Sequence, residues 1–167
     1  MKKLFVILIA FVSMNAFSQG KDVVDIAIGS ADHTTLVAAV KAADLVSTLK
    51  SKGPFTVFAP TNAAFDKLPE GTVANLLKPE NKAQLAKILT YHVVSGNLDA
   101  AAVIAAIKSG KGKAVLTTVS GGKLIASLEM EKVKLTDESG KSAYVTASDL
   151  KGTNGVVHVI DGVLLPK

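Results

Sequence analysis

Cysteine, arginine and tryptophan are absent from this 167-residue sequence, and histidine occurs three times. Without cysteine no disulfide staples the fold and no thiolate metal site forms, so stability rests on a packed core. Material for that core is ample, at 49% hydrophobic residues. The 19 basic residues are all lysine, spread along the chain against 14 acidic ones, for a net charge of +5. Dispersed lysine describes a solvated surface, whereas a nucleic-acid binder needs a basic stripe, arginine forks and stacking aromatics. Nucleic acid is excluded as a partner. His33, His92 and His158 have no paired spacing, so no local chelate exists, and neither a metal nor another cofactor is expected. Asp137-Glu138 is an acidic doublet in a hairpin turn, not a calcium loop. No Gly-x-Ser-x-Gly elbow occurs. Gly110-Lys111-Gly112-Lys113 lacks the spacing and following Ser/Thr of a phosphate loop. These residues name no enzyme.

Residues 1–18 carry the pattern of a cleaved export signal. Lys2-Lys3 give a positive start, Leu4 to Val12 an apolar run, and Ala16-Phe17-Ser18 a cut before Gln19. The run is too short to span a bilayer as a stable helix, and no cysteine follows the cut for lipid attachment. Residues 19–167 are expected to form one domain with no membrane span, secreted or periplasmic, or held at a surface by association.

The most apolar stretch is the last. After the Asn154-Gly155 turn signal come Val156, Val157, Val159 and Ile160, β-branched on both faces of the pleat, which predicts a strand covered on both sides. Asp161-Gly162 is expected to bend it into a second short strand, Val163 to Leu165, ending at Pro166. Upstream, Asp22–Ile28 reads as a short helix. A longer helix capped by Asp32 or Thr34 is predicted to run to about Lys50. Phe55–Pro60 reads as a strand, and Thr61-Asn62 as N-cap oxygens for a helix through Phe65 and Leu68. Thr72–Leu77, Lys82–Thr90 and Ala100–Lys108 are further helices, the last capped by Asp99 and stopped by Gly110. From Lys113 the period changes to two. Gly121-Gly122 marks a hairpin, a parity change places another turn near Glu131-Lys132, and Ala143, Val145 and Ala147 alternate as a strand. Helices first and strands later is the order of an α+β domain.

Three segments together resemble the fasciclin domain, an extracellular module associated with adhesion. Phe55-Thr-Val-Phe58-Ala-Pro60-Thr61-Asn62-Ala-Ala-Phe65 resembles its first signature. Leu89-Thr-Tyr91-His92-Val-Val-Ser-Gly96 resembles its Tyr-His segment. Asn154-Gly155-Val-Val-His158-Val-Ile-Asp161-Gly-Val-Leu-Leu-Pro166 resembles its second signature. Order and separation fit as well, and the likeness spans essentially all of residues 19–167. Gly162 departs from it, standing where members often carry a larger, frequently charged residue. The resemblance implies a compact wedge of twisted β-structure with helices packed on it. It also implies cell or matrix adhesion through protein or polysaccharide partners, without catalysis as a family hallmark.

Tyr91 and His92 are the candidate partner-binding pair, because the resemblance associates the Tyr-His region with receptor contact. A structural reading competes and is favoured: helical spacing turns His92 inward with Leu85, Ile88 and Leu89, and buried ring nitrogens find local partners. His158, in the most apolar run, is read as structural. Phe5, Phe11 and Phe17 fall in the signal, leaving Phe55, Phe58 and Phe65 for the core, with Tyr91 and Tyr144 as candidate exposed platforms. Sugar stacking is poorly supplied, so any glycan binding is expected to be weak or multivalent. The leading reading is an exported adhesion or matrix-association module. The alternative is a carrier of an apolar, carotenoid-like small molecule, since some exported members of the resembled family bind carotenoids and aliphatic residues line clefts well.

Overall fold

The structure, a computed structural model, describes residues 20–167. The export signal expected over residues 1–18 lies outside the described residues. Helix α1 (Val23–Ile28) opens on a capping box. The Asp22 carboxylate accepts from the Val24 and Asp25 N–H groups, both at 2.9 Å, while Asp25 reaches back to the Asp22 N–H.

The single long helix expected as far as Lys50 is instead broken in two. A 3-10 turn (Ala31–His33) leads into α2 (Thr34–Ala42), and α3 (Val46–Leu49) follows separately. Between them Asp44 adopts a φ of 59°. The Asp44 N–H bonds Lys41 O at 3.1 Å and the Leu45 N–H reaches back to Val40 O at 3.0 Å, the two bonds of a Schellman stop. Glycine normally occupies that left-handed position; aspartate tolerates it, so the stop carried no sequence signal. Nor do Asp32 and Thr34 cap α2. Asn62 does so from across the fold: its Oδ1 accepts the Thr35 N–H at 3.0 Å and the Thr34 hydroxyl at 3.2 Å, and its Nδ2 donates to Ala31 O at 3.0 Å. Asn62→Ala is expected to lower stability by about 1–2 kcal/mol, read as a lower urea midpoint at unchanged slope.

Strand β1 (Phe55–Pro60) runs into α4 (Asn62–Asp66), whose first turn is capped by the Thr61 hydroxyl accepting the Ala64 N–H at 3.2 Å. Then come α5 (Thr72–Leu76), α6 (Lys82–Tyr91), β2 (Val93–Ser95) and α7 (Ala100–Ser109), the last capped by Asp99. The period-two half forms β3 (Lys113–Thr117), β4 (Lys123–Glu129), β5 (Lys132–Thr136), β6 (Ser142–Gly152) and β7 (Gly155–Ile160). The β4–β5 turn is Met130-Glu131, one residue earlier than expected, and both take positive φ (49° and 64°). That is the conformation of a two-residue hairpin matched to strand twist.

The strands form one mixed seven-stranded sheet in the order β2-β1-β7-β6-β5-β4-β3. It curls until its edges meet, with Val94 bridging Thr118 and the Val119 N–H on Val93 O at 2.8 Å. The fold is α+β. Strand β7 lies inside the sheet, parallel to β1 on one side and antiparallel to β6 on the other. Its alternate residues enter two different cores. Val157 joins Leu36, Val40, Leu85 and Leu89 beneath the helices. Ile160 joins Phe58, Leu124, Leu135 and Leu164 inside the curl, which α7 closes with Val103 and Ile107. An apolar face on each side is why the run has no polar alternation.

The second short strand expected over Val163–Leu165 does not form. Beyond Ile160 the chain is an extended tail held by side chains rather than by a ladder.

Candidate functional site

The site grows from the end of α6. Leu85, Ile88 and Leu89 are buried on its inner face, and the same spacing carries His92 inward. Tyr91 is 0% exposed and His92 2%, so neither ring is offered to a partner in this conformation. Both are fully committed. The Tyr91 hydroxyl donates to Lys123 O at 2.7 Å and accepts the Glu138 N–H at 3.2 Å, joining the base of β4 to the turn after β5. Burial raises its pKa above the ordinary phenolic value, and the nearby Glu138 and Asp137 charges push the same way. A Cβ on Gly122 would lie 2.5 Å from Tyr91 Cε2, so bare backbone at Gly122 is what lets the ring close under the hairpin.

His92 is a neutral relay between helix and tail. Its Nδ1–H donates to Ile88 O at 2.8 Å, and its Nε2 accepts the Leu164 N–H at 3.0 Å. Complete burial lowers its pKa to about 4, against which the Ile88 carbonyl and the Asp137 charge act as weaker opposing influences. The neighbouring tail residue is held by a group that sequence reading missed. Asp137 is buried, and its Oδ2 accepts the Leu165 N–H at 2.9 Å. Its Oδ1 accepts the Ser139 N–H and hydroxyl and the Lys141 N–H at 2.7–2.9 Å. The sequence showed only an acidic doublet in a hairpin turn; the recoverable clue was Asp137 with Ser-Gly-Lys beginning two residues on, an Asx-turn pattern that ties the carboxylate to backbone N–H groups. Glu138 adds the Lys167 N–H at 3.4 Å, and Lys87 Nζ reaches Lys167 O at 2.8 Å.

Tyr91→Phe keeps the ring and removes the bridge, leaving Lys123 O and the Glu138 N–H without it. It is expected to cost about 1–3 kcal/mol, visible as a lower thermal midpoint with an unchanged far-ultraviolet spectrum.

The other signature residues are distributed through the frame. Phe58 and Phe65 are buried, Phe55 is half-buried, and Pro60 closes β1. Asn154 locks the entry to β7, its Oδ1 accepting the Val23 N–H at 3.0 Å and its Nδ2 donating to Leu49 O at 2.7 Å and Ser51 O at 3.0 Å. Gly155 packs against the Phe55 backbone too closely for any side chain. His158 stacks on Phe58 at 5.6 Å, donates from Nε2 to Leu98 O at 2.7 Å, and accepts the Asp149 N–H at Nδ1, 3.3 Å. Asp161 accepts the Tyr144 N–H at 2.8 Å, and Pro166 is half-buried at the tail. Tyr144 is no open platform either: its hydroxyl bonds the Glu129 carboxylate and Lys134 Nζ sits 5.9 Å from the ring centroid. His33 bonds the Ser30 hydroxyl through Nδ1 at 2.8 Å, and its buried Nε2 has no hydrogen-bond partner among the described residues. Among those residues no three His, Asp or Glu side chains converge as metal ligands. No described helix is long and apolar enough to cross a membrane.

Several known proteins are similar to this chain in sequence or fold. Residues 31–166 match the Fasciclin domain family. Protein sll1483 of Synechocystis sp. is 48% identical over 157 residues, covering 94% of this chain and 80% of that protein. Transforming growth factor-beta-induced protein ig-h3 of Sus scrofa is 38% identical over 86% of this chain, a match spanning 19% of its own length. The fold of a FAS1 domain pair from the insect cell adhesion molecule Fasciclin I superposes with a TM-score of 0.63 at 23% identity, over 78% of this chain and 43% of that one. A matching family signature across residues 31–166, a close relative along nearly its full length and the shared fold lead to one conclusion: the chain belongs to the fasciclin domain family.

Proposed function

We propose that residues 19–167 are an exported, non-enzymatic binding module that attaches to cell surfaces or extracellular matrix through protein or glycan partners. The observation that carries this reading is the family match over residues 31–166, in a fold shared with an insect cell adhesion molecule. In it, Tyr91 and His92 serve recognition from beneath. They fix the hairpin base at Lys123, the turn at Glu138 and the tail at Leu164, on which an outer contact surface is built. That surface includes Val115, 62% exposed and paired across the strands with Ile125. The test is saturable binding of purified protein to intact producer cells and their matrix. Retention on cells or matrix supports the reading; no retention on either overturns it.

A second reading, a carrier of an apolar small molecule, draws on an apolar cleft between α1, α2, α3 and β1. Val23, Val24, Leu36, Val40, Leu49 and Val57 are among its lining residues. Its free space is about 40 Å³, against roughly 300–1,000 Å³ for a ligand pocket. A carotenoid-sized guest therefore requires the helices to lift from the sheet. An absorption band outside the protein range in freshly purified material supports the carrier; its absence removes it.

A further inference from the structure

An open cleft of about 570 Å³ lies where the α3–β1 loop faces the turn between β6 and β7. Residues 50–54 form one wall, residues 151–155 the other, and Asn97 also lines the cleft. Three lysines line it, Lys50, Lys52 and Lys151, and no carboxylate does. Lys50 is neutralised by Asp22 at 2.9 Å and Asp25 at 2.6 Å. Lys52 and Lys151 are exposed and have no ion pair among the described residues. Two other clefts mix signs, one holding Glu131 beside Lys132 and another Asp137 and Glu138 beside Lys123 and Lys167. A third, beside α6, holds Lys87 and Lys167, whose Nζ and main-chain O already bond each other.

The cleft is also preformed. Asn154 bonds both Leu49 O and Ser51 O, tying one wall to the other. A Cβ on Gly53 would overlap the Asn154 carbonyl and one on Gly155 the Phe55 backbone, so both walls are bare main chain in close contact. Exposed Asn97 and Thr153 add side-chain polar groups that make no hydrogen bond among the described residues. A fixed cleft with two unpaired lysines, Lys52 and Lys151, concentrates anions. It has no aromatic lining, so a neutral sugar finds no stacking face, and affinity must come from charge. Lysine acts as a point charge without the geometric demand of arginine, which suits acidic groups repeated along a flexible polymer. Nucleic acid, with bases to stack, is the poorer fit.

We infer that this cleft binds an acidic polysaccharide, whose carboxylate or sulfate groups pair with Lys52 and Lys151 while its hydroxyls meet Asn97 and Thr153. The inference rests on the adhesion reading and names its ligand class. The test uses the purified protein at low ionic strength against a polyuronate, a sulfated dextran, unmodified dextran and a single-stranded DNA of matched charge. Binding to at least one acidic polysaccharide and none to neutral dextran is expected, weakening as salt rises. The preferred acidic polymer identifies the acid group. Lys52→Ala/Lys151→Ala is expected to weaken binding about tenfold. Lys78→Ala/Lys108→Ala, equal in charge removed but away from the cleft, is expected to change it less than about twofold. Equal losses in the two double variants, or equal affinity for the DNA, overturn the inference. No binding to either acidic polysaccharide, with attachment to producer cells retained, refutes this ligand class alone. Loss of cell attachment as well refutes the adhesion reading beneath it.

Discussion

Removing residues 156–167 is expected to leave a chain that does not fold. The deleted segment supplies Val156, Val157, Val159, Ile160, Val163 and Leu164, all buried. At about 1.5–3 kcal/mol for each large aliphatic side chain, their burial contributes on the order of 10 kcal/mol, comparable to the whole stability of a typical domain. The loss is also topological. Strand β7 joins β1 to β6, so without it the curled sheet opens, leaving the β2–β1 pair and the β3–β6 antiparallel set joined only where Val94 meets Thr118. A milder probe is Ile160→Ala, at 0% exposure inside the curled sheet, expected to cost about 2–5 kcal/mol. Circular dichroism and urea unfolding measure both. A truncated chain that still unfolds cooperatively, with native far-ultraviolet signal, would contradict the role of β7 in joining β1 to β6.

Stability is expected to fall as pH drops from about 6.5 to 4, a decline that begins above the range in which ordinary carboxylates titrate. His92 has a pKa of about 4 in the folded chain against 6.5 when exposed. Between those values the unfolded chain binds the extra proton, so acid favours unfolding. The stabilisation is complete above pH 6.5 and is lost progressively down to about pH 4, amounting to about 3 kcal/mol. His33, lowered in the same direction by burial, adds to the slope. Geometry explains the sign: protonated His92 has a hydrogen on Nε2 and can no longer accept the Leu164 N–H. His92→Gln keeps an acceptor for that N–H without an ionisable ring. It is expected to be less stable at pH 7 and to show a shallower decline toward pH 4. Urea unfolding at several pH values separates the two effects, and an unchanged acid slope in the variant would place the proton elsewhere.

Much of this architecture was legible in the residues because its determinants are local. The unalternating run in β7, the Asp99 cap of α7, and the Gly121-Gly122 hairpin each depend on neighbours within a few positions. The helical spacing that turns His92 inward is local too. What escaped reading is non-local or uses unusual residues. Asn62 looked like a cap for the helix it begins, yet its side chain caps α2, and only the folded chain brings those two together. Asp44 takes a left-handed conformation that glycine would have announced. The tail after Ile160 has apolar residues suited to a strand, but its N–H groups find His92 and Asp137 instead of a ladder partner. Asp137 was the largest omission. A carboxylate in a polar turn gives no hint that a tail from the far end of the chain will cover it.

The enclosed Tyr-His junction is the point on which the account turns, and the pKa of His92 tests it most directly. Proton NMR titration of the three imidazole rings, assigned with His33→Gln, His92→Gln and His158→Gln variants, should show the His92 resonances unmoved through pH 6.5. Their midpoint is expected near 4, as the Leu164 amide loses hydrogen-exchange protection. A His92 midpoint near 6.5, with Leu164 exchanging freely at pH 7, would mean an exposed ring and contradict the enclosed junction.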